Sequence, residues 1–395
     1  MVFCYSSSMK ILGIETSCDE TAAAIVENGR KLCSNVIKSQ IDIHAQYGGV
    51  VPEVAARSHI EVILPVINKA LSDANVNWDE IDAIAVTYAP GLIGSLLVGT
   101  LTARTLALVK NKPLYPIHHI KAHVYANFIE QPRPLQLSDT ETKGRNVAQM
   151  VPEAGANETS GAKWSLNRKV SEFENWQEPK FPILALIVSG GHSQLVLFRS
   201  HTDYEILGQT QDDAVGEAFD KVAKILGLTY PGGPSISKAA IDGDPDKYKL
   251  PKSKLQNPLD FSFSGLKTAV LRAVQKGVGK NYTFPSHQLA SLLNDTQRND
   301  FAASFQKAAV ETLVDKTVAA YSLHLPASVV IAGGVAANLE LRKQLADRLP
   351  IGINYPPIEL CTDNAAMIAA LAYYQAQSTD ATDPRKMEVF PSLSI

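Results

Sequence analysis

Residues 10–29 read Lys10-Ile11-Leu12-Gly13-Ile14-Glu15-Thr16-Ser17-Cys18-Asp19-Glu20-Thr21-Ala22-Ala23-Ala24-Ile25-Val26-Glu27-Asn28-Gly29. An apolar run over 10–15, a polar turn over 16–21 and a second apolar run over 22–27 closed by Asn-Gly predict strand, turn, strand. The device recurs at 181–198. There the apolar run Ile183 to Val188 meets Ser189-Gly190-Gly191-His192-Ser193 and returns as Gln194 to Phe198. Between and after the two units, helical and strand patterns alternate, which implies an α/β chain with mainly parallel sheets. Predicted helices span Pro52 to Leu71, the stretch from the glycine turn Pro90–Ser95 to Val109, Gly265 to Val274, and Asp300 to Tyr321, with others from Asn338 and after Asp363. Predicted strands cover Ile81 to Thr87 and Ser328 to Ala332.

The 395 residues are enough for two to three domains or one duplicated fold with an insertion. With 37 Lys+Arg against 40 Asp+Glu, the formal charge of −3 excludes a strongly basic chain, so nucleic-acid contact requires a local patch. Lys247 to Lys280 supplies one: eight basic residues against the single acid Asp260, with Phe261 and Phe263 placed to stack or to pack. Cys4, Cys18, Cys33 and Cys361 form neither a CxxC pair nor a disulfide framework and read as reduced thiols. No apolar run reaches the ~18 residues of a membrane span, and the first eight residues carry no signal or transit pattern, so a cytoplasmic protein is expected. Residues 131–180 are polar and aperiodic, Trp164 and Trp176 apart, and read as a mobile surface insertion.

Three glycine-rich strand ends, at Gly91/Gly94, Gly190-Gly191 and Gly333-Gly334, expose backbone amides suited to phosphate or carboxylate. Their repetition suggests a nucleotide held between two lobes. No GxxxxGK[ST] and no placed GxGxxG is present. His119 and His123, four apart on a helix, present both imidazoles to one side and can share a metal ion. Asp363, in Cys361-Thr362-Asp363-Asn364, is a candidate third ligand, although helix capping alone explains an acid there. The zincin reading fails because Ile120 stands where HExxH needs its glutamate. Acids over Asp212 to Asp220 suit either sugar hydroxyls or the start of a helix.

Together, the ordered motifs Ile14-Glu15-Thr16-Ser17-Cys18-Asp19-Glu20-Thr21, His44-Ala45-Gln46-Tyr47-Gly48-Gly49-Val50-Val51-Pro52-Glu53, Pro90 to Gly99, His118-His119 to His123, Val188-Ser189-Gly190-Gly191-His192, Tyr230-Pro231-Gly232-Gly233-Pro234, Phe261 to Thr268 and Cys361 to Asn364 resemble the universal tRNA threonylcarbamoyladenosine transferase family, once described as O-sialoglycoprotein endopeptidases. The resemblance runs from Met9 to about Ala376 outside the insertion, and its HAQYGGVVPE form is similar to the bacterial and organellar branch.

The resemblance implies a duplicated actin/Hsp70/sugar-kinase-like (ASKHA) fold, with a ligand cleft between lobes 9–118, joined by a terminal helix 363–378, and 119–362. It implies transfer of the threonylcarbamoyl group from threonylcarbamoyl-AMP to N6 of adenosine 37 in tRNAs reading ANN codons, with release of AMP. It also implies a divalent ion on His119, His123 and Asp363, Fe²⁺ being favoured over Zn²⁺. Adenylate contacts fall to Ile187, Val188, Ser189, Gly190, Gly191, Asp220, Gly233 and Asn338. Asp19, Glu20 and His192 are candidates to orient the acyl group or take the amine proton. In bacteria the implied partners, besides tRNA, are an inactive paralogue and a P-loop ATPase. A small-molecule kinase of the same fold would not need the His/His/Asp set, and a noncatalytic scaffold paralogue would have lost it.

Overall fold

The computed structural model describes residues 8–130 and 178–395; the expected insertion and its tryptophans lie almost wholly outside them. The opening unit forms β1 (Lys10–Glu15) and β2 (Glu20–Glu27), antiparallel, with the turn tightened to 16–19. β3 (Lys31–Ser39) continues the meander, and the chain then enters α1 (Ile41–Ala45) and α2 (Pro52–Asp73). β4 (Ala83–Ala89), α3 (Ile93–Lys110) and β5 (Leu114–His118) complete a sheet of order β3-β2-β1-β4-β5, parallel from β1 to β5.

α4 (His119–Tyr125) follows without a gap, and the second unit opens with β6 (Ile183–Val188), β7 (Ser193–Phe198) and β8 (Tyr204–Gln209). After α5 (Val215–Leu226), α6 (Gly232–Ala240), α7 (Ser264–Gly277) and α8 (Asp295–His324), strands β9 (Ser328–Ala332) and β10 (Ile353–Asn354) flank α9 (Leu339–Arg348). α10 (Ile358–Cys361) and α11 (Ala365–Ala376) end the helical order. The second sheet runs β10-β9-β6-β7-β8, with β6–β7–β8 antiparallel and β6–β9–β10 parallel. This is the first sheet's topology repeated, as the twice-used β-turn-β unit predicted.

Three apolar cores hold the architecture. One backs each sheet on its helical side, and the third joins β1, β4 and β5 to β6 and β9 through α4 and α11, so these two short helices fill the space between the sheets. Gly333, at the end of β9, adopts φ +88°, and a Cβ there would meet the Val188 carbonyl oxygen at 2.4 Å, so the β6 and β9 turns approach as closely as they do only with glycine. Asn294 is the N-cap of α8 in a reciprocal capping box with Gln297.

Two expectations change. α3 is, among the described residues, one helix long and apolar enough to cross a membrane by length and composition. Its small inward residues pack on α2 and β4 while its outward face carries Ile93, Leu97, Leu101 and Leu108, so apolar residues occupy both faces. Phe261 and Phe263 are fully buried in the core behind the second sheet, which removes them as stacking platforms for bases. Within the basic stretch, Lys252 pairs with Glu311 and Asp315, and Lys267 with Asp213.

Candidate metal and acyl-transfer site

α4 begins directly where β5 ends, which delivers His119 and His123 one helical turn apart into the space between the sheets. Asp363 arrives from the other side, in the short link between α10 and α11, where Asn364 rather than Asp363 caps α11 through the Met367 N–H. The acid is therefore not consumed by capping. His119 Nε2 and His123 Nε2 lie 3.2 Å apart, and Asp363 Oδ1 lies 3.4 Å and 3.3 Å from them.

Donor atoms held about 2.1 Å from a common centre stand roughly 3.0–3.4 Å from one another in octahedral or tetrahedral arrangements. The observed separations match, and two imidazoles with one carboxylate suit a transition metal. The residues present fit such an ion. Two nitrogens converging at 3.2 Å in a buried site otherwise need a shared proton and the nearby carboxylate to keep them together.

The electrostatics follow from burial. Desolvation opposes charge on His119, but the carboxylates of Asp363 and Glu15 outweigh it and hold this histidine above its usual range. Burial holds His123 below its usual range. Burial alone would raise Asp363, yet the two imidazoles more than offset it and keep the carboxyl below the usual carboxylate range. Burial, reinforced by His119 and His123, pushes His192 down to about 4, leaving a neutral imidazole at pH 7.

The turn between β1 and β2 faces this cluster. Burial, the charges of Asp363 and Asp19 and a hydrogen bond to Asp19 push Glu20 up to about 9. Between its ordinary 4.5 and 9, the unfolded chain gives up a proton that the folded chain keeps, so this group lowers stability as pH rises through that window. Glu20→Gln is thus expected to flatten the loss of stability between pH 6 and 8.5 in metal-free protein, read from urea midpoints. Equal slopes in variant and wild type would contradict it. Cys18 beside it is no nucleophile, since burial and neighbouring acids raise its thiol pKa.

The second sheet and its helices carry the other sequence candidates. Ile187 and Val188 end β6 with their side chains wholly buried, so they anchor the following turn rather than presenting side chains to a ligand. Ser189 closes that turn through its N–H to the His192 carbonyl at 2.8 Å and its hydroxyl to the His192 N–H at 3.2 Å. A Cβ at Gly190, Gly191 or Gly233 would meet only open space, so the fold itself does not demand glycine there and a closely approaching ligand would. Asp220 accepts from the Gly232 N–H at 2.7 Å and is raised chiefly by burial. Asn338 caps α9 through the Leu341 N–H and donates to Ser237 and Gln306, so its polar atoms already have partners.

Two features escaped the sequence reading. Glu15 is wholly buried beside His119. The terminal stretch runs past the ends of β4 and β5: Gly91 N–H bonds the Pro391 carbonyl at 3.1 Å and His118 Nε2 the Leu393 carbonyl at 3.2 Å. Residues 391–394 thereby wall a cavity of about 410 Å³ together with Gly91, Gly191, His192 and Gln194.

Known proteins are similar to this chain over its length. The sequence profile of the family described as tRNA N6-adenosine threonylcarbamoyltransferase matches residues 31–138 and 169–370. A relative of that name from Thermomicrobium roseum is 48% identical over 376 residues, 93% of this chain and 92% of its own. Another from Symbiobacterium thermophilum is 47% identical, covering 92% and 91%, and one from Dehalococcoides mccartyi is 45% identical, covering 98% and 99%. Among solved structures, full-length HypF in a phosphate- and nucleotide-bound form superposes with a TM-score of 0.51 at 11% identity over 95% of this chain and 47% of that one, a likeness of fold. The duplicated sheets give this chain the ASKHA fold, and the near full-length similarity shows that it belongs to the tRNA N6-adenosine threonylcarbamoyltransferase family.

Proposed function

We propose that the chain transfers the threonylcarbamoyl group from threonylcarbamoyl-AMP to N6 of adenosine 37 of ANN-decoding tRNAs, in a cleft between lobes 9–118 (with 363–378) and 119–362, using a divalent ion on His119, His123 and Asp363. The convergence of those three side chains, with His192 of the glycine-rich turn near enough to feel both imidazoles, carries the reading. A kinase of this fold has no use for the triad, and a scaffold has no reason to keep it.

In the reaction the N6 amine attacks the carbonyl carbon of a mixed anhydride. The new C–N bond forms as the C–O bond to phosphate breaks, AMP leaves, and N6 gives up one proton. An exocyclic amine is a poor nucleophile, so positioning and charge stabilisation carry most of the work. A bound divalent ion, Fe²⁺ in preference to Zn²⁺, supplies Lewis acidity and a template for phosphate and acyl oxygens. The amides of Gly190, Gly191 and Gly233 cradle the phosphate on a turn that Ser189 closes, and Asp220 holds a ribose hydroxyl. Asn338, tied to α6 and α8 by its own hydrogen bonds, contacts the adenylate from that wall. Glu20, pushed up to about 9, keeps its proton and donates to the acyl group, Asp19 takes the amine proton, and the neutral His192 hydrogen-bonds the acyl group.

Two surface features support the partner reading. Lys247, Lys249, Lys254, Lys276 and Lys280 form the basic tract for the tRNA backbone. Ile60 and Leu64 on α2 and Ile93, Leu97 and Leu101 on α3 form an exposed apolar stripe suited to a paralogous subunit of the same fold. A P-loop ATPase completes the bacterial set, and the protein works in the cytoplasm. The ion is tested by stripping the protein with chelator and titrating Fe²⁺ anaerobically, then Zn²⁺. One ion per chain is expected for wild type and none at the same concentrations for His123→Ala; equal binding by the two would overturn the assignment.

A further inference from the structure

Glu15 ends β1 in the interior with no exposure to solvent. Three donors surround its carboxylate. Oε1 accepts from the Ser17 N–H at 2.5 Å, and Oε2 accepts from the Thr87 hydroxyl at 2.5 Å and lies 3.0 Å from His119 Nδ1. Among the described residues the Ser17 hydroxyl also lies near that nitrogen, at 3.2 Å. A carboxylate only accepts, so the hydrogen between Oε2 and Nδ1 belongs to the ring.

That contact decides what the opposite nitrogen can do. With Nδ1 protonated, the neutral imidazole presents a lone pair at Nε2, the atom aimed at His123 Nε2 and Asp363 Oδ1. The other candidate ligand has no such support, because among the described residues His123 Nδ1 is buried without a partner. One imidazole is held at its far nitrogen by a hydrogen bond, and the other only by packing.

Burying a carboxylate is costly, and a strand end in an apolar sheet offers no reason of stability for keeping an acid there. From this geometry we infer that Glu15 is the positioning residue of the centre: it holds the Nδ1 proton and the ring orientation of His119, so that Nε2 is the nitrogen that gives up its proton to an arriving ion. The inference rests on the metal reading above and extends it inward by one shell, to a residue that contacts neither ion nor substrate.

Glu15→Gln discriminates sharply. An amide has one acceptor and one donor end. With its oxygen toward Thr87 and His119, its NH₂ confronts the Ser17 N–H. Turned round, it donates to Nδ1, which forces the proton to Nε2 and blocks ligation. Either orientation disfavours the ligating state, whereas Thr87→Val leaves the carboxylate and the Ser17 contact in place.

The test is Co²⁺ titration of chelator-stripped protein, followed by visible d–d absorption and calorimetry. Glu15→Gln is expected to bind about 10- to 100-fold more weakly than wild type with altered bands, and Thr87→Val to lose much less. Metal-free urea midpoints serve as the fold control. In Zn²⁺-loaded wild type, imidazole ¹⁵N spectra should show His119 protonated at Nδ1 and coordinated through Nε2, a readout that needs no variant. Wild-type affinity and bands in Glu15→Gln, or coordination through Nδ1, would overturn the inference while leaving the metal reading intact. Failure of wild type to bind Co²⁺ or Zn²⁺ would instead sink the metal reading and this inference with it.

Discussion

Asp363→Asn is expected to lower threonylcarbamoyl transfer by at least about 100-fold, the upper end of what losing even an outer-sphere partner costs a metal centre. Three observations set the size. Asp363 is the one anionic member of the triad, its Oδ1 sits within 3.4 Å of both imidazole nitrogens, and its carboxyl is held below the ordinary range by those imidazoles. The amide is nearly isosteric but neutral, and it can turn a donor toward the nitrogens. The fold should survive, because Asn364, not Asp363, caps α11. Single-turnover assays at saturating threonylcarbamoyl-AMP and tRNA read the loss; a rate within about threefold of wild type would remove Asp363 from the centre.

Gly13→Ala carries the largest expected effect on stability, a loss of about 3 kcal/mol at the upper end of overpacking costs. Gly13 sits in the middle of β1, where α11 crosses the sheet. A Cβ there would lie 2.3 Å from the Ala365 carbonyl oxygen and 2.9 Å from the Ala369 N–H. Both are backbone atoms, so no rotamer change relieves the clash and α11 itself must shift. Because α11 starts two residues after Asp363, the shift also displaces the ligand. A lowered urea midpoint together with weakened metal binding is the expected pair of results. An unchanged midpoint would show that α11 is not seated as tightly on β1 as this packing requires.

The sequence disclosed what local chemistry controls. The strand-turn-strand at 10–27, the glycine turns and the His119/His123 pair were legible because hydrophobic period, turn residues and helical spacing are written within about ten residues. β3, β5 and β8 were not, since their half-buried or short runs resemble loop composition and are fixed by pairing with distant neighbours. Asp363 was ambiguous between cap and ligand until Asn364 was seen to cap. Glu15 had a signal that went unread: an acid closing a strand whose other residues are apolar is a buried charge that must have a partner. Phe261 and Phe263 flank a basic tract in sequence but belong to the core, a distinction that proximity along the chain does not carry. The wall made by residues 391–394 depends on contacts some three hundred residues away in the chain, beyond any local pattern.

The most direct measurement incubates purified, metal-loaded protein with threonylcarbamoyl-AMP and unmodified ANN-decoding tRNA, with and without chelator and with and without bacterial-type accessory subunits, followed by digestion and mass spectrometry of the nucleosides. Threonylcarbamoyladenosine at position 37, lost with chelator and restored by added metal, is the predicted result, and the arm in which it appears shows whether the subunits are needed. Absence of the modified nucleoside in every arm, from folded protein that binds its ion, would contradict the account.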